Sequence, residues 1–460
     1  MQPPWLTTLN IDHATPWNTL SNTSCQFSAP FTCGVAPPPG NSLGAFNDIG
    51  FAAVGPIPNV SQNTPYEQAW SLGFQKELPG KILFDASYVG KKGTHLYLGG
   101  FRENDRLPLS AVTDSSGHLL PPAQIANLNN TVNNPFFNPN PGACDRTHYI
   151  CDPTSALSQA TVQEFQLLLP FPQYAGFQGD SPPIANSIYH ALQVRVERAF
   201  ANGLQFLVTY TWSKSIDDAS ASDDSFVFLG GGTLGGSTLS VQNPYDLRAE
   251  RSTSVFDIPQ IFQASYVYEL PVGRGKQFGN DMHPVLNAIL GGWQTNGIVR
   301  INSGRPLIPL LLNTNAIPTF GQRPILTGTL TRAAGAPENF TDPGTSYFGN
   351  ASFSSSVGDN VGVLQDTSVV APFTFGNAPR TITSVRQPGA RDTAMSIFKE
   401  FPISSLREGM RLEFRAEAFN VFNHPQFQGP NTTVGDSNFG VITSTVNNPR
   451  ELQLALKLYF

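Results

Sequence analysis

Every second residue from Leu204 to Trp212 is large and apolar: Leu204, Phe206, Val208, Tyr210 and Trp212. Gln205, Thr209, Thr211 and Ser213 fall between them, and Leu207 is the one lapse. A two-residue period is that of a β-strand with one apolar and one polar face. The same period governs the C-terminus. Leu452, Leu454, Leu456, Leu458 and Phe460 alternate with Glu451, Gln453, Lys457 and Tyr459, and Ala455 is the one small exception. Chain ends are ordinarily frayed and tolerant of change. Alternation kept to the last residue points to an end that is buried on one side, paired and recognised.

Seven further stretches read as strands. Tyr66 to Leu78 sets Trp70, Leu72 and Phe74 against Glu67, Ser71, Gln75 and Glu77. After Pro79-Gly80 the segment Lys81 to Leu98 returns with Ile82, Phe84, Ala86 and Tyr88 on one face. YHALQVRVERAF opposes Leu192, Val194 and Val196 to Gln193, Arg195 and Glu197, and Ala201-Asn202-Gly203 turns it into the strand that begins at Leu204. IFQASYVYEL, GWQTNGIVRIN and RLEFRAEAFNVFN repeat the pattern, the last with Leu412, Phe414, Ala416 and Ala418 opposite Arg411, Glu413, Arg415 and Glu417. RDTAMSIFKEF alternates poorly, and Pro259 in DIPQIF calls for a bulge in a strand that otherwise starts early.

The connections between these strands alternate in length. Short turns lie at 79–80, 201–203, 271–290 and 402–409, and long connections span 99–185, 218–249, 303–390 and 425–449. Short turns at one end and long loops at the other is the layout of an outer-membrane barrel. The strands also have the length for it: a tilted spanning strand needs about 9–11 residues, whereas soluble strands centre near 5–6. The competing architecture is a soluble sandwich, which alternates too but fits neither the strand lengths nor the loop order.

Composition supports the membrane reading. Charged residues make up only 13% of the chain, about half the usual share. Turn formers are abundant, with Gly 41 and Pro 39, and aromatics reach 11%. No apolar run of about 18 residues is present for a helical span, and helical heptads are absent. A net charge of −6 argues against nucleic acid as a partner. In a barrel, Trp70, Trp212, Tyr266 and Trp293 suit the aromatic girdles at the two interfaces. The terminal strand then runs from outside to inside, and Phe460 ends at the periplasmic rim. Its leucines and Phe460 face lipid while Gln453 and Lys457 face the lumen.

Candidate chemistry is sparse. His13, His95, His118, His148, His190, His283 and His424 are scattered without ligand spacing. GGGTLGGS, Gly230 to Ser237, lacks the lysine and the strand–helix context of a phosphate loop. No GxSxG elbow occurs. DDASASDD, Asp217 to Asp224, places four carboxylates where a strand enters a long loop; calcium is conceivable there, and solvated loop charge is the plainer expectation. No catalytic, cofactor or metal site is expected, and the chain is not read as an enzyme. The four cysteines fall as two close pairs, Cys25 with Cys33 and Cys144 with Cys151. Two local disulfides are the expectation, which implies an oxidising compartment. Zinc lacks the CxxC spacing, and free thiols or cross-pairing are the other arrangements.

Several segments carry a family resemblance: LGFQKELPGKILFDASYVGKKGTHL, YHALQVRVERAFANGLQFLVTYTWSKSIDD, YELPVGRGKQFG with LGGWQTNGI and SGRP, and FRAEAFNVFNHPQF with the closing RELQLALKLYF. Together they resemble the C-terminal part of the barrel of Oar-like TonB-dependent outer-membrane receptors. The resemblance implies a barrel of about 22 strands around a plugged lumen, an N-terminal plug, often a carboxypeptidase-regulatory-like domain before it, and a box that binds TonB. None of these N-terminal parts is recognisable, and MQPPWLTTLNIDHATPW has neither the basic nor the apolar region of a signal peptide. The expectation is therefore a C-terminal portion of an antiparallel transmembrane barrel. Residues 1–64 form an irregular, loop-like segment and residues 65–460 carry about nine or ten strands. The implied function is energy-coupled uptake of a nutrient or polymer fragment; the alternative is a surface-binding, adhesive barrel acting through its long loops. The implied partners are outer-membrane lipid, the TonB complex through N-terminal parts, and the barrel-assembly machinery, with Leu452, Leu454, Leu456, Leu458 and Phe460 as the assembly signal. The same strand would supply the seam that closes the sheet and removes an exposed edge.

Overall fold

The computed structural model describes residues 63–98, 105–137, 157, 159–174, 182–219, 241–312, 315–342, 344–352, 361–366, 372–403 and 409–460. They divide into two compact units, one from the described residues of 102–182 and one from those of 63–101 and 183–460.

The larger unit is built on nine long strands: β1 Tyr66–Leu78, β2 Ile82–Tyr97, β3 Pro183–Ala201, β4 Leu204–Asp217, β5 Gln260–Glu269, β6 Trp293–Asn302, β7 Ala390–Pro402, β8 Arg411–Phe419 and β9 Glu451–Tyr459. They form one antiparallel meander in which every neighbour in space is a neighbour in sequence. Among the described residues the outer strands β1 and β9 each pair on one side only. The hairpins follow from turn chemistry. Asn202 and Gly203 both take positive φ (52° and 77°) between the paired Ala201 and Leu204, the backbone of a two-residue turn whose twist matches the strands.

The register carries the alternation across strands. Leu72, Tyr88, Leu192 and Trp212 form one row, and Ala86, Val194, Tyr210, Phe262 and Ile301 form another. At the far edge Phe414 lies opposite Leu456, and Ala416 opposite Leu454. On the other face Asp85 pairs with Arg195, Glu413 with Lys457 and Glu417 with Gln453. At its two edge strands the apolar face is uncovered: Leu72 is 77% exposed and Leu454 73%. Two glycines on that face make room for rings. A Cβ on Gly90 would lie 2.2 Å from the Trp70 ring, and one on Gly297 would lie 2.6 Å from Tyr266, so each aromatic covers a gap in the neighbouring strand.

Three strand boundaries depart from the sequence expectation. Pro259 does not force a bulge: β5 starts one residue later, and the Pro259 carbonyl accepts a hydrogen bond from Ser213 N at 2.8 Å. β8 stops at Phe419, because Asn420 (φ 47°) and Asn423 (φ 55°) turn left-handed. β7 is a full 13-residue strand despite its weak alternation.

The described residues of three long connections, 99–185, 303–390 and 425–449, are more structured than their Asn, Pro, Gly and Ser content implies. The stretches 303–390 and 425–449 share a buried cluster that includes Leu307, Leu330, Phe340, Tyr347, Ile382, Val434 and Ile442. Leu310–Leu311 runs parallel to Thr433–Val434 and ties the two stretches together. The smaller unit also has a core of its own. Its strands Thr131–Asn133 and Thr161–Gln163 pair, and Leu157 and Val162 pack with Val132, Phe136 and Tyr174. Two short helices, α1 Pro122–Ala126 and α2 Glu164–Leu168, complete it. The segment 1–62, with Cys25 and Cys33, and the residues Cys144 and Cys151 lie outside the described residues, as does Gly230 to Ser237.

Candidate functional site

The chemistry of the larger unit lies on the polar face of the sheet and at the end where the long connections leave it. Alternation presents Asp85, Gln193, Arg195, Thr211, Gln263, Asn296, Arg300, Glu413, Arg415 and Lys457 on that face. Several of the charges there are paired. Arg415 donates to Glu413 at 2.9 Å and reaches Glu417 at 3.4 Å, and Tyr459 Oη donates to Glu413 at 3.3 Å. Arg195 pairs with Glu197, and Lys276 with Glu269 at 2.7 Å. Arg415 also stacks its guanidinium over Phe398, 5.1 Å from the ring centre. Such a face is a wettable wall with both signs of charge.

At the long-connection end, three arginines of the 303–390 stretch dock onto three carboxylates. Arg380 pairs with Asp217 at the end of β4, and it also donates to the carbonyls of Asp217 (2.6 Å) and Glu250 (3.1 Å). Arg323 pairs with Glu250, whose other oxygen accepts from Gln242 N at 3.0 Å. Arg386 donates to Asp257 at 2.8 Å, and Asp257 accepts from Ser215 N at 2.7 Å. Asp217, Glu250, Asp257, Arg323 and Arg380 are buried. Breaking one such pair leaves a buried charge without its counterion, at a cost of about 3–5 kcal/mol. The pairs fix the connection to the strand ends rather than serving as a surface charge.

This corrects the reading of Asp217 and Asp218 as solvated loop charge. Asp217 is a buried partner of Arg380, and Asp218 accepts from Asn186 N. Burial pushes the Asp218 carboxyl above the ordinary carboxylate range, and the Asn186 hydrogen bonds pull it back. Asp223 and Asp224 lie outside the described residues. Among the described residues no three His, Cys, Asp or Glu side chains gather as metal ligands.

Two clefts meet at the same end. One, of about 390 Å³, is lined by Arg300, Arg305, Asp392 and Gln426 on the side of the polar face. The other, of about 700 Å³, is lined by Tyr210, Phe262, Ile301 and His424 on the side of the apolar face. Asn302-Ser303-Gly304 and Gln387-Pro388-Gly389 border both clefts and form the partition between them. Gly304 is dictated by this partition: a Cβ there would stand 1.6 Å from the Gln387 carbonyl oxygen. The SGRP motif therefore marks a backbone-on-backbone contact. Burial lowers the Arg305 guanidinium from its ordinary value.

Sequence reasoning missed the arginine–carboxylate pairs and the partition. The available signal was Arg323, Arg380 and Arg386 in a connection otherwise poor in charge. Of the expected terminal residues, Leu452, Leu454, Leu456 and Leu458 line up on the apolar face opposite Ala418, Ala416, Phe414 and Leu412. Phe460 follows the last strand and is exposed.

A family model described as an outer membrane beta barrel domain matches residues 2–453. No curated protein matches the chain. Among solved structures the chain is similar to Pseudomonas aeruginosa FpvA bound to heterologous pyoverdines, at 10% identity over 85% of this chain and 26% of that one, with a TM-score of 0.30. It is also similar to the FpvAI component of a complex with pyocin S2 (9%, 85%, 27%, TM-score 0.32). A third is the ferric-catecholate import receptor Fiu from Escherichia coli K12 (8%, 88%, 30%, TM-score 0.33). The chain spans between about a quarter and a third of the length of these structures.

Proposed function

The chain belongs to the outer membrane beta barrel domain family, and from that premise we propose that residues 65–460 form part of the wall of an outer-membrane barrel that takes up solute along its polar face. The observation that carries the reading is the division of one nine-strand sheet into two faces. One face exposes Leu72, Phe74, Leu454 and Leu456, and the other carries paired charges and amides. A contiguous exposed apolar surface of this extent is foreign to a soluble monomer. In a bilayer the apolar face meets acyl chains, and the polar face lines a lumen. The long connections then lie outside the cell and the short turns in the periplasm.

Backbone pairing within hydrocarbon must be complete. The free sides of β1 and β9 therefore need further strands, and the sheet is read as a portion of a larger barrel. Transport in such a barrel would be energy-coupled, as in the TonB-dependent receptors that the sequence resembles. The arginine-pinned 303–390 connection and the cleft at Arg300, Arg305 and Asp392 stand where a solute would enter. Uptake by cells that carry the intact protein, with and without an energised inner membrane, tests this. Energy-dependent accumulation of a solute supports the reading, and its absence for every solute bound at the surface overturns it.

A second reading, adhesion through the outer connections, is favoured by one observation. The 303–390 and 425–449 stretches have their own hydrophobic core, as a binding head would. Energy-independent binding without uptake selects this reading over transport.

A further inference from the structure

We propose that α3, Pro284–Leu290 in the short connection between β5 and β6, lies in the phospholipid interface of the periplasmic leaflet and anchors that rim of the sheet to the membrane. The inference rests on the barrel reading and adds a contact that the strand pattern does not contain.

The helix is seven residues long, starts at Pro284 behind a His283 cap, and buries none of its side chains. Its apolar residues are Val285, Leu286, Ile289 and Leu290, all more than half exposed. At about 100° per residue they fall within one stripe of the helix, with Asn287 and Ala288 on the opposite side. The helix therefore presents an apolar stripe away from the protein. It is far too short to span, so it can meet hydrocarbon only by lying along the surface.

Its C-terminal end is fastened to the apolar face of the sheet. Trp293 Nε1 donates to the Ile289 carbonyl at 2.8 Å. Lys399 Nζ donates to the carbonyls of Ala288 (2.6 Å) and Asn287 (3.4 Å). Lys399 stands opposite Trp293 on one side and Phe414 on the other, and Phe414 stands opposite Leu456. These four residues share the face that the strands turn toward lipid. The helix is thus continuous with that face at its short-turn end.

Lys399 argues for the same arrangement. A lysine at an apolar-face position is costly in a bilayer unless its charge finds partners. Here it is 4% exposed. The rings of Trp293 and Phe401 flank it at 5.7 and 5.0 Å, and the last helical carbonyls, the negative end of the helix, receive it. The helix carbonyls solvate the lysine, and in covering it the helix turns its own apolar stripe outward. The hairpin is shaped for this: Asn287 Oδ1 accepts from Arg274 N at 2.8 Å, and a Cβ on Gly273 would meet Gly291 at 2.9 Å.

The test is photo-crosslinking of the intact protein, with every strand of its barrel, in phospholipid vesicles that contain radiolabelled phosphatidylethanolamine. Benzoylphenylalanine replaces Leu286 or Ile289, with Leu454 as the position on the lipid side of the sheet and Gln453 as the position on its polar face. Each chain is first shown to keep its strand content by circular dichroism. Label at positions 286 and 289 comparable to that at 454, and several-fold above that at 453, is the expected result. Label at 454 without label at 286 and 289 overturns the helix assignment and leaves the barrel reading standing. Cross-links from 286 or 289 to a second protein chain also overturn it. No lipid label at 454 overturns the barrel reading, and this inference with it.

Discussion

Replacing Leu454 by arginine separates a membrane wall from a water-exposed sheet. Leu454 is the fourth of nine residues in β9, faces Ala416 across the pair and is 73% exposed. If water covers this face, an exposed leucine exchanged for arginine stays within about ±0.5 kcal/mol. If hydrocarbon covers it, the charge near mid-membrane costs about 2–4 kcal/mol, falling to about 0–1 near the interfaces. At about 1.4 kcal/mol per tenfold, the folded fraction shifts by well over an order of magnitude. The neighbouring control is sharp, because one residue changes the face. Gln453 lies opposite Glu417, so Gln453→Arg gains an opposite charge and is worth about 0–1 kcal/mol in its favour. Leu458, close to the strand end, should cost less than Leu454. Urea titrations of the intact protein in phospholipid vesicles, followed by tryptophan fluorescence, measure all three. Equal costs at 453 and 454, or a cost at 458 as large as at 454, would refute the assignment of this face to lipid.

Four other outcomes are expected. Arg380→Met takes the paired guanidinium from the buried Asp217 and should cost about 3–5 kcal/mol; Asp217→Asn in the same chain should recover most of it in a double-mutant cycle, and additive losses would exclude a coupled pair. Gly304→Ala drives a Cβ to 1.6 Å from the Gln387 carbonyl, so the partition must open, at about 1–3 kcal/mol, with new protease cleavage in 303–390. Deleting Phe460 should lower outer-membrane yield sharply while the denaturation midpoint of protein already folded stays unchanged; unchanged yield refutes its role as an assembly signal. Peptide mapping without reduction should find Cys25 joined to Cys33 and Cys144 to Cys151, each closing a short loop worth about 2–3 kcal/mol of chain entropy, and four free thiols refute it.

All nine long strands were legible because each carries its evidence locally. A period of two needs only the residues of the strand itself, and the turns at Gly80 and Asn202-Gly203 are written in two or three letters. The departures have equally local causes. β7 looked weak because Lys399 and Thr393 occupy apolar-face positions, and the partners that accommodate Lys399 come from α3, more than a hundred residues earlier. The roof was not legible. Leu307, Leu330, Phe340, Ile382, Val434 and Ile442 meet in one cluster, but their spacing follows no period, and the packing joins two connections separated by β7 and β8. The buried pairs were hidden for the same reason: Asp217 and Arg380 are 163 positions apart, and an aspartate in a run of aspartates reads as solvated until its partner is known.

The charges on the apolar face form a pattern of their own. Carried through the register, that face holds Lys76, Arg198 and Lys399 toward the short turns and Lys92, Lys214 and Arg391 toward the long connections. No aspartate or glutamate falls on it in the nine strands. The six charges are all basic, and the mid-strand positions of that face on the strands that carry them are Leu72, Tyr88, Leu192, Tyr210 and Met395. A soluble sandwich has no use for this order, since a face buried against a second sheet gains nothing from unpaired cations at its two ends, and a solvated face would mix both signs. A bilayer does. Its phosphates lie at two levels with hydrocarbon between, and long basic side chains reach those levels along their own methylene stems. Among the described residues, Lys399 alone of the six is turned onto helix carbonyls, and it stands beside the one helix whose apolar stripe is bare. On the barrel reading, strands, basic ends and helix mark two boundaries, and the uncharged mid-strand positions between them are the part of the chain that hydrocarbon would cover.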